Sequence, residues 1–143
     1  MESAIESTEE DVRQILTASK IIAVVGLSPT PYRPSHEVAS YLKDEGYRII
    51  PVNPKISQTL GEKAYPSLRE VPEPVDIVQI FRRPEHVPAI VEDAIAIGAK
   101  VVWMQLGIIN EDAAARARAA GLQVVMNTCM AIAHNALRAR GQL

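Results

Sequence analysis

Three glycines are each followed by the same short pattern, and this repetition limits the folds open to the chain. Gly46 precedes Tyr-Arg-Ile-Ile-Pro-Val, Gly98 precedes Ala-Lys-Val-Val-Trp-Met, and Gly121 precedes Leu-Gln-Val-Val-Met-Asn. Each unit reads as a glycine that ends a helix in the left-handed conformation, two connecting residues, and a short apolar strand. Strands are expected at 21–25, 48–52, 75–80, 100–104 and 123–126. Their apolar residues are consecutive rather than alternating, as in parallel strands covered on both faces. Helices are expected at 9–18, 35–45, 84–97, 111–120 and 131–140. The fourth starts after Asn110 as a cap, with Glu111 and Asp112 in its first turn and Arg116 and Arg118 near its end, in accord with the helix dipole. Alternating strands and helices joined by right-handed crossovers define a doubly wound α/β fold with a five-stranded parallel sheet in a single domain. Residues 1–20 supply an N-terminal helix packed on the domain formed by 21–143.

Composition narrows the function. At 143 residues and 48% hydrophobic, the chain can bury a core without metals or disulfides. A net charge of −2 lacks the basic surplus that nonspecific nucleic-acid binding requires. No apolar run reaches the length of a membrane span, and the acidic N-terminus has the wrong sign for a secretory signal. The single cysteine, Cys129, excludes an intrachain disulfide. A cytoplasmic protein is expected. His36, His86 and His134 lack partners at ligand spacing, so no metal site is expected and each is read as a surface or capping histidine. Cys129 opens the last helix and is read as buried and inert. No Ser/His/Asp set or paired carboxylates appear, so no catalytic residue is assigned.

All ten prolines lie between Pro29 and Pro88. Proline is excluded from helix interiors and central strands, so the shaped loops, and the site, are expected in that stretch. Ligands of open α/β sheets sit at the carboxyl ends of the strands. After the first strand comes Gly26-Leu27-Ser28-Pro29-Thr30-Pro31-Tyr32-Arg33-Pro34-Ser35. Gly26 holds the place of the first dinucleotide-fingerprint glycine, but Ser28 and Pro31 replace the other two. Arg33 beside Ser35, read as a helix cap, makes an anion clamp. Lys55 follows Asn53-Pro54 after the second strand, where an NAD site carries an acid. A lysine there suits a ribose phosphate, as in NADP or coenzyme A. After the third strand, Phe81 and Val87 form an adenine slot, with Arg82 or Arg83 reaching phosphate. Trp103 and Gln105 project to one side of the fourth strand's end, Gln105 can bond amides of an extended ligand arm, and Gly107 admits close backbone approach.

These segments, VVGLSPTPYRPS, YRIIPVNPK, GEKAYPSLREVPEPVDIVQIFRRPE and IGAKVVWMQLGIINEDAAARARAAGLQVVMNTC, together resemble the CoA-binding domain family, which includes the N-terminal domain of the succinyl-CoA synthetase α subunit. The similarity covers nearly all of the chain after residue 20 and is greatest to small stand-alone members. It implies a Rossmann-like sheet holding coenzyme A, with the diphosphate at Gly26, Ser28, Arg33 and Ser35 and the 3′-phosphate at Lys55. Adenine is then expected near Pro54, Phe81 and Val87, with Arg82 close to the phosphates. The pantetheine arm is expected toward Trp103, Gln105 and Gly107, and Pro29 and Asn53 complete the contact set. Three prolines replace the synthetase's glycine-rich loop. No counterpart of the synthetase's second domain, with its phosphorylated histidine, is expected here. The implied role is a non-catalytic CoA or acyl-CoA binding or regulatory module, with a protein partner or homo-oligomer open to it. The alternatives are an NADP-dependent oxidoreductase and a subunit that completes an acyl-CoA ligase in trans.

Overall fold

A computed structural model describes residues 7–143. The strands are β1 (Ile21–Val25), β2 (Arg48–Val52), β3 (Gln58–Thr59), β4 (Glu62–Lys63), β5 (Ile77–Ile80), β6 (Val101–Met104) and β7 (Gln123–Val125). The helices are α1 (Glu9–Ala18), α2 (Pro34–Asp44), α3 (Val87–Ala96), α4 (Glu111–Ala119) and α5 (Met130–Ala139). Five strands form one parallel sheet in the order β2-β1-β5-β6-β7. The chain leaves β1 toward β2 on one side and returns to β5 on the other, so the sheet's switch point lies between β1 and β5.

Consecutive apolar residues place a core on each face. Val25, Val78, Ile80, Val102 and Met104 join α3 and α4 on one face; Ile22, Val24, Ile77 and Trp103 join α1, α2 and α5 on the other. Trp103 is fully buried, and its Nε1–H donates to the Thr128 carbonyl at 2.8 Å. Val12, Ile15 and Leu16 of α1 are buried in the second core. At the amino ends of the strands, the Asp76 carboxylate accepts from Lys20 N–H (2.9 Å) and Ile21 N–H (3.0 Å). Burial alone would raise the Asp76 pKa, but these two N–H groups and Lys100 outweigh it and hold it below the ordinary value.

Pro51 lies within β2, inside the expected strand 48–52, and is tolerable there because β2 is an edge strand. Other local features differ from the sequence reading. The β3–β4 hairpin was not expected from the sequence; each arm has two residues, and its turn uses Leu60 (φ 54°) and Gly61 (φ 71°). Arg48 ties it down by bonding Glu62 at 2.6 Å and Glu73 at 2.5 Å. The expected helix at 84–97 is divided into a 3-10 turn, Pro84–His86, and α3. Pro34 takes the first turn of α2, with Arg33 at the N-cap, so Ser35 lies inside the helix rather than capping it.

His134 is buried, not a surface or capping residue. Its Nδ1 is 2.9 Å from Tyr41 Oη, and the rings of Tyr41 and Tyr47 meet it edge-on. Burial pushes its pKa below the ordinary 6.5, Glu45 opposes this, and Arg138 adds to it. The unfolded chain therefore takes up this proton first, so His134 removes stability as pH falls below its ordinary value. Urea unfolding between about pH 7.5 and pH 5 is expected to show a larger loss for the wild type than for His134→Gln.

Candidate functional site

The carboxyl ends of β1, β2 and β5 open onto two adjoining clefts that share Gly26 and Asn53. The larger, about 440 Å³, lies toward α3 and includes Pro54, Lys55 and Arg82. The other, about 390 Å³, lies at the start of α2 and includes Ser28, Pro29, Arg33, Ser35 and Phe81. Ten of the expected contact residues thus line one continuous edge.

The loops are braced against each other before any ligand is considered. Gly26 N–H donates to the Val52 carbonyl at 2.9 Å. Asn53 Nδ2 donates to the Leu27 carbonyl (3.0 Å), and its Oδ1 accepts from Lys55 N–H (2.9 Å), so one amide joins the loops after β1 and β2. Ser35 Oγ accepts from Ser28 N–H at 3.0 Å, and Ser28 Oγ accepts from Thr30 N–H at 3.1 Å. Gly26 has φ +91°, and a Cβ there would lie 3.0 Å from the Phe81 carbonyl oxygen and 3.1 Å from Arg82 Cδ. The glycine permits both the left-handed turn and the crossing of the Phe81–Arg82 chain.

Lys43, Arg48, Arg69, Lys100, Arg116 and Arg138 each sit within 3.5 Å of a carboxylate. Among the described residues Arg33, Lys55, Arg82 and Arg83, in the loops after β1, β2 and β5, have no such partner, and neither do Lys20 before β1 and Lys63 of β4. Three uncompensated cations lining clefts at a sheet's carboxyl edge, Arg33, Lys55 and Arg82, attract a polyanion. Asp93, the acid in the larger cleft, is neutralised by Arg69 Nε at 2.7 Å. Among the described residues no group of three or more His, Cys, Asp or Glu side chains could hold a metal, and no helix is long and apolar enough to cross a membrane.

Four expected contact residues lie elsewhere. Val87 does not form an adenine slot, because the 3-10 turn ahead of α3 rotates it inward and it is fully buried among Val25, Ile80 and Val91. Trp103 does share a sheet face with Gln105, but α5 covers that face, so Trp103 is core and not a wall of the cleft. Gln105 is buried; its Oε1 accepts from Gln79 Nε2 (3.2 Å) and Met130 N–H (3.3 Å). Gly107 (φ +88°) turns the following loop, and its N–H donates to Asn127 Oδ1 at 2.7 Å. Sequence reasoning missed the cleft wall formed by Pro66, Ser67, Leu68 and Ile90. Its one local signal was Ser67 three residues before Glu70, a helix-start pattern in which Ser67 Oγ now donates to Glu70 Oε2 at 3.1 Å. The wall reaches the cleft through Tyr65, which pairs with Val52 beyond the hairpin.

An open parallel sheet with this switch point and cationic edge is a Rossmann-like α/β domain. The chain belongs to the CoA binding domain family, whose model matches residues 20–135. It is 45% identical to the Bacillus subtilis protein YneT over 127 residues, 89% of this chain and 94% of that one. It is 34% identical over 83 residues to the ADP-forming acetate–CoA ligase II of Archaeoglobus fulgidus; that segment is 57% of this chain but 12% of the ligase. Among solved structures, a hypothetical protein from Pyrococcus horikoshii OT3 matches with a TM-score of 0.90 and 43% identity over 96% of this chain and 99% of that one. The dinucleotide-forming acetyl-coenzyme A synthetase 1 of Ca. Korarchaeum cryptofilum, in complex with phosphate and ADP, matches with a TM-score of 0.69 and 26% identity over 76% and 26% of the two chains.

Gly26→Ala is expected to lower stability by at least about 1–2 kcal/mol, from the left-handed backbone alone. Chemical denaturation measures this loss, and an unchanged midpoint would refute the requirement for glycine.

Proposed function

We propose that this protein binds coenzyme A or an acyl-CoA along the carboxyl edge of its sheet, as a cytoplasmic binding or regulatory module with no catalytic group of its own. The observation that carries this reading is the set of three unpartnered cations, Arg33, Lys55 and Arg82, that line the paired clefts. Coenzyme A supplies a matching set of anions, a diphosphate and a 3′-phosphate. In this reading the diphosphate lies at Gly26, Ser28 and Arg33, beside the N-terminus of α2 and its dipole. Arg82 reaches it across Gly26. Lys55 takes the 3′-phosphate, and Asn53, through its bond to Lys55 N–H, fixes the direction in which Lys55 leaves the loop. The adenine packs on Pro54, Pro66 and Ile90 in the larger cleft, in place of Val87.

A second reading, a subunit that completes an acyl-CoA ligase in trans, draws support from the ligases in which a similar segment is a small part of the chain. Co-elution with a chain that carries the remaining ligase domains, and ligase activity only in the mixture, would establish it.

Coenzyme A at 100 times its Kd is expected to stabilise the protein by about 2.7 kcal/mol, read as a rise in Tm. Dephospho-CoA is expected to bind at least about tenfold more weakly, given the roughly 1.5–3 kcal/mol of a charged hydrogen bond. Lys55→Ala should bring the two ligands close to equal. Equal binding by the wild type removes Lys55 from the site, and protection by NADP but not coenzyme A refutes the assignment.

A further inference from the structure

The two clefts are cationic, yet the larger one has an acid in its wall. Asp93 is the one carboxylate among the described residues that line either cleft. It stands one turn beyond Ile90 on α3, and Ser67 lines the same cleft at the head of the 3-10 turn Leu68–Glu70. Leu68 and Ile90 belong to the core on that face of the sheet, so the wall that carries both polar side chains is held by packing. An acid in a site for a polyanion repels the ligand unless it meets a donor there.

The hydrogen bonds around the two side chains fix what they can offer. Arg69 Nε donates to Asp93 Oδ1 at 2.7 Å, which offsets the acid's charge and leaves Oδ2 as an acceptor. The Ser67 side chain does not cap the turn that it opens; its hydroxyl donates to Glu70 Oε2 at 3.1 Å. With that proton committed, Ser67 Oγ has only lone pairs left. Both polar side chains of this wall therefore present acceptors, beside the apolar surface of Pro54, Pro66 and Ile90.

Resting on the reading of the cleft given above, we propose that Ser67 and Asp93 read the base of the ligand and select a 6-aminopurine over a 6-oxopurine. In that reading Asn53 and Lys55 hold the ribose end, so the base falls to the wall made with Pro66 and Ile90. The exocyclic amine of adenine carries two N–H bonds, one for each acceptor. Hypoxanthine places a carbonyl oxygen there, and its neighbouring N1–H can serve only one of the two, so the other acceptor meets an oxygen. A site built to accept from a donor rejects an analogue that lacks it, because the site's own polar groups are left unpaired. Arg69 acts through Asp93 as a positioning residue.

The test compares coenzyme A with its hypoxanthine analogue, which differs only at the C6–N1 edge of the base, by titration calorimetry. The wild type is expected to bind coenzyme A at least about tenfold more tightly, as hydrogen bonds to charged groups are among the stronger ones. In Asp93→Asn the amide oxygen can keep the Arg69 bond, which puts the Nδ2 donor where Oδ2 stood. That variant is expected to erase or reverse the preference, and Ser67→Ala, which leaves the Arg69–Asp93 pair in place, to reduce it. A purely structural role in tying the 3-10 turn to α3 would weaken both ligands alike, and a ratio unmoved in both variants overturns the proposal. Equal binding of the two ligands by the wild type also overturns it and leaves the binding reading standing. If coenzyme A does not bind the wild type at all, the binding reading falls and this inference with it.

Discussion

The sheet is buried on both faces, and this governs where chemistry can occur. Residues 22–25, 49–52, 77–80 and 101–104 are buried without interruption. A charge placed there would be desolvated without a partner, at a cost the fold could not offset. Charged groups are therefore confined to the two ends of the strands, and Gln79 is the polar side chain that β5 buries between them. At the amino ends Asp76 accepts the Lys20 and Ile21 N–H groups and closes that end as structure. At the carboxyl ends the loops after β1, β2 and β5 converge on the switch point, and their cations are left without carboxylates.

The cations that line the clefts, Arg33, Lys55 and Arg82, have no carboxylate partner, whereas several others tie framework segments together. Arg48 bonds two carboxylates and pins the β3–β4 hairpin to β2, and Arg69 bonds Asp93 across from α3. Such exposed pairs add little stability each, but they fix the positions of the segments they join. The hairpin matters for this reason: Tyr65 leaves it to pair with Val52, and the chain then delivers Pro66, Ser67 and Leu68 to the cleft. The internal hydrogen bonds of Asn53 and Ser35 preorganise the loops, so less ordering remains for a ligand to impose.

The fold was legible in the sequence because its signals are local. Runs of Val and Ile mark doubly covered strands, and Gly46, Gly98 and Gly121 mark helix ends; all three have positive φ. The proline stretch pointed to loops that line the clefts, though Pro66 lines the larger cleft and Pro84 and Pro88 line neither. The hairpin escaped because two-residue strands carry no periodicity. Val87 and Trp103 were placed on the correct elements but on the wrong side of the boundary between core and solvent. Alternation along a strand tells which residues share a face, not whether a helix covers that face.

From the sequence alone came the α/β class, the strand and helix positions, and the loops that would face a ligand, all consequences of hydrophobic pattern and of the backbone limits of glycine and proline. Tertiary structure decided which residues of those loops meet. It brought Leu68 and Ile90 into one cleft with Lys55, turned Gln79 beneath α5 without a donor, and enclosed His134 between Tyr41 and Tyr47. Each of these depends on residues far apart in the chain, and contacts across such distances are set by how the layers pack, which no local pattern records.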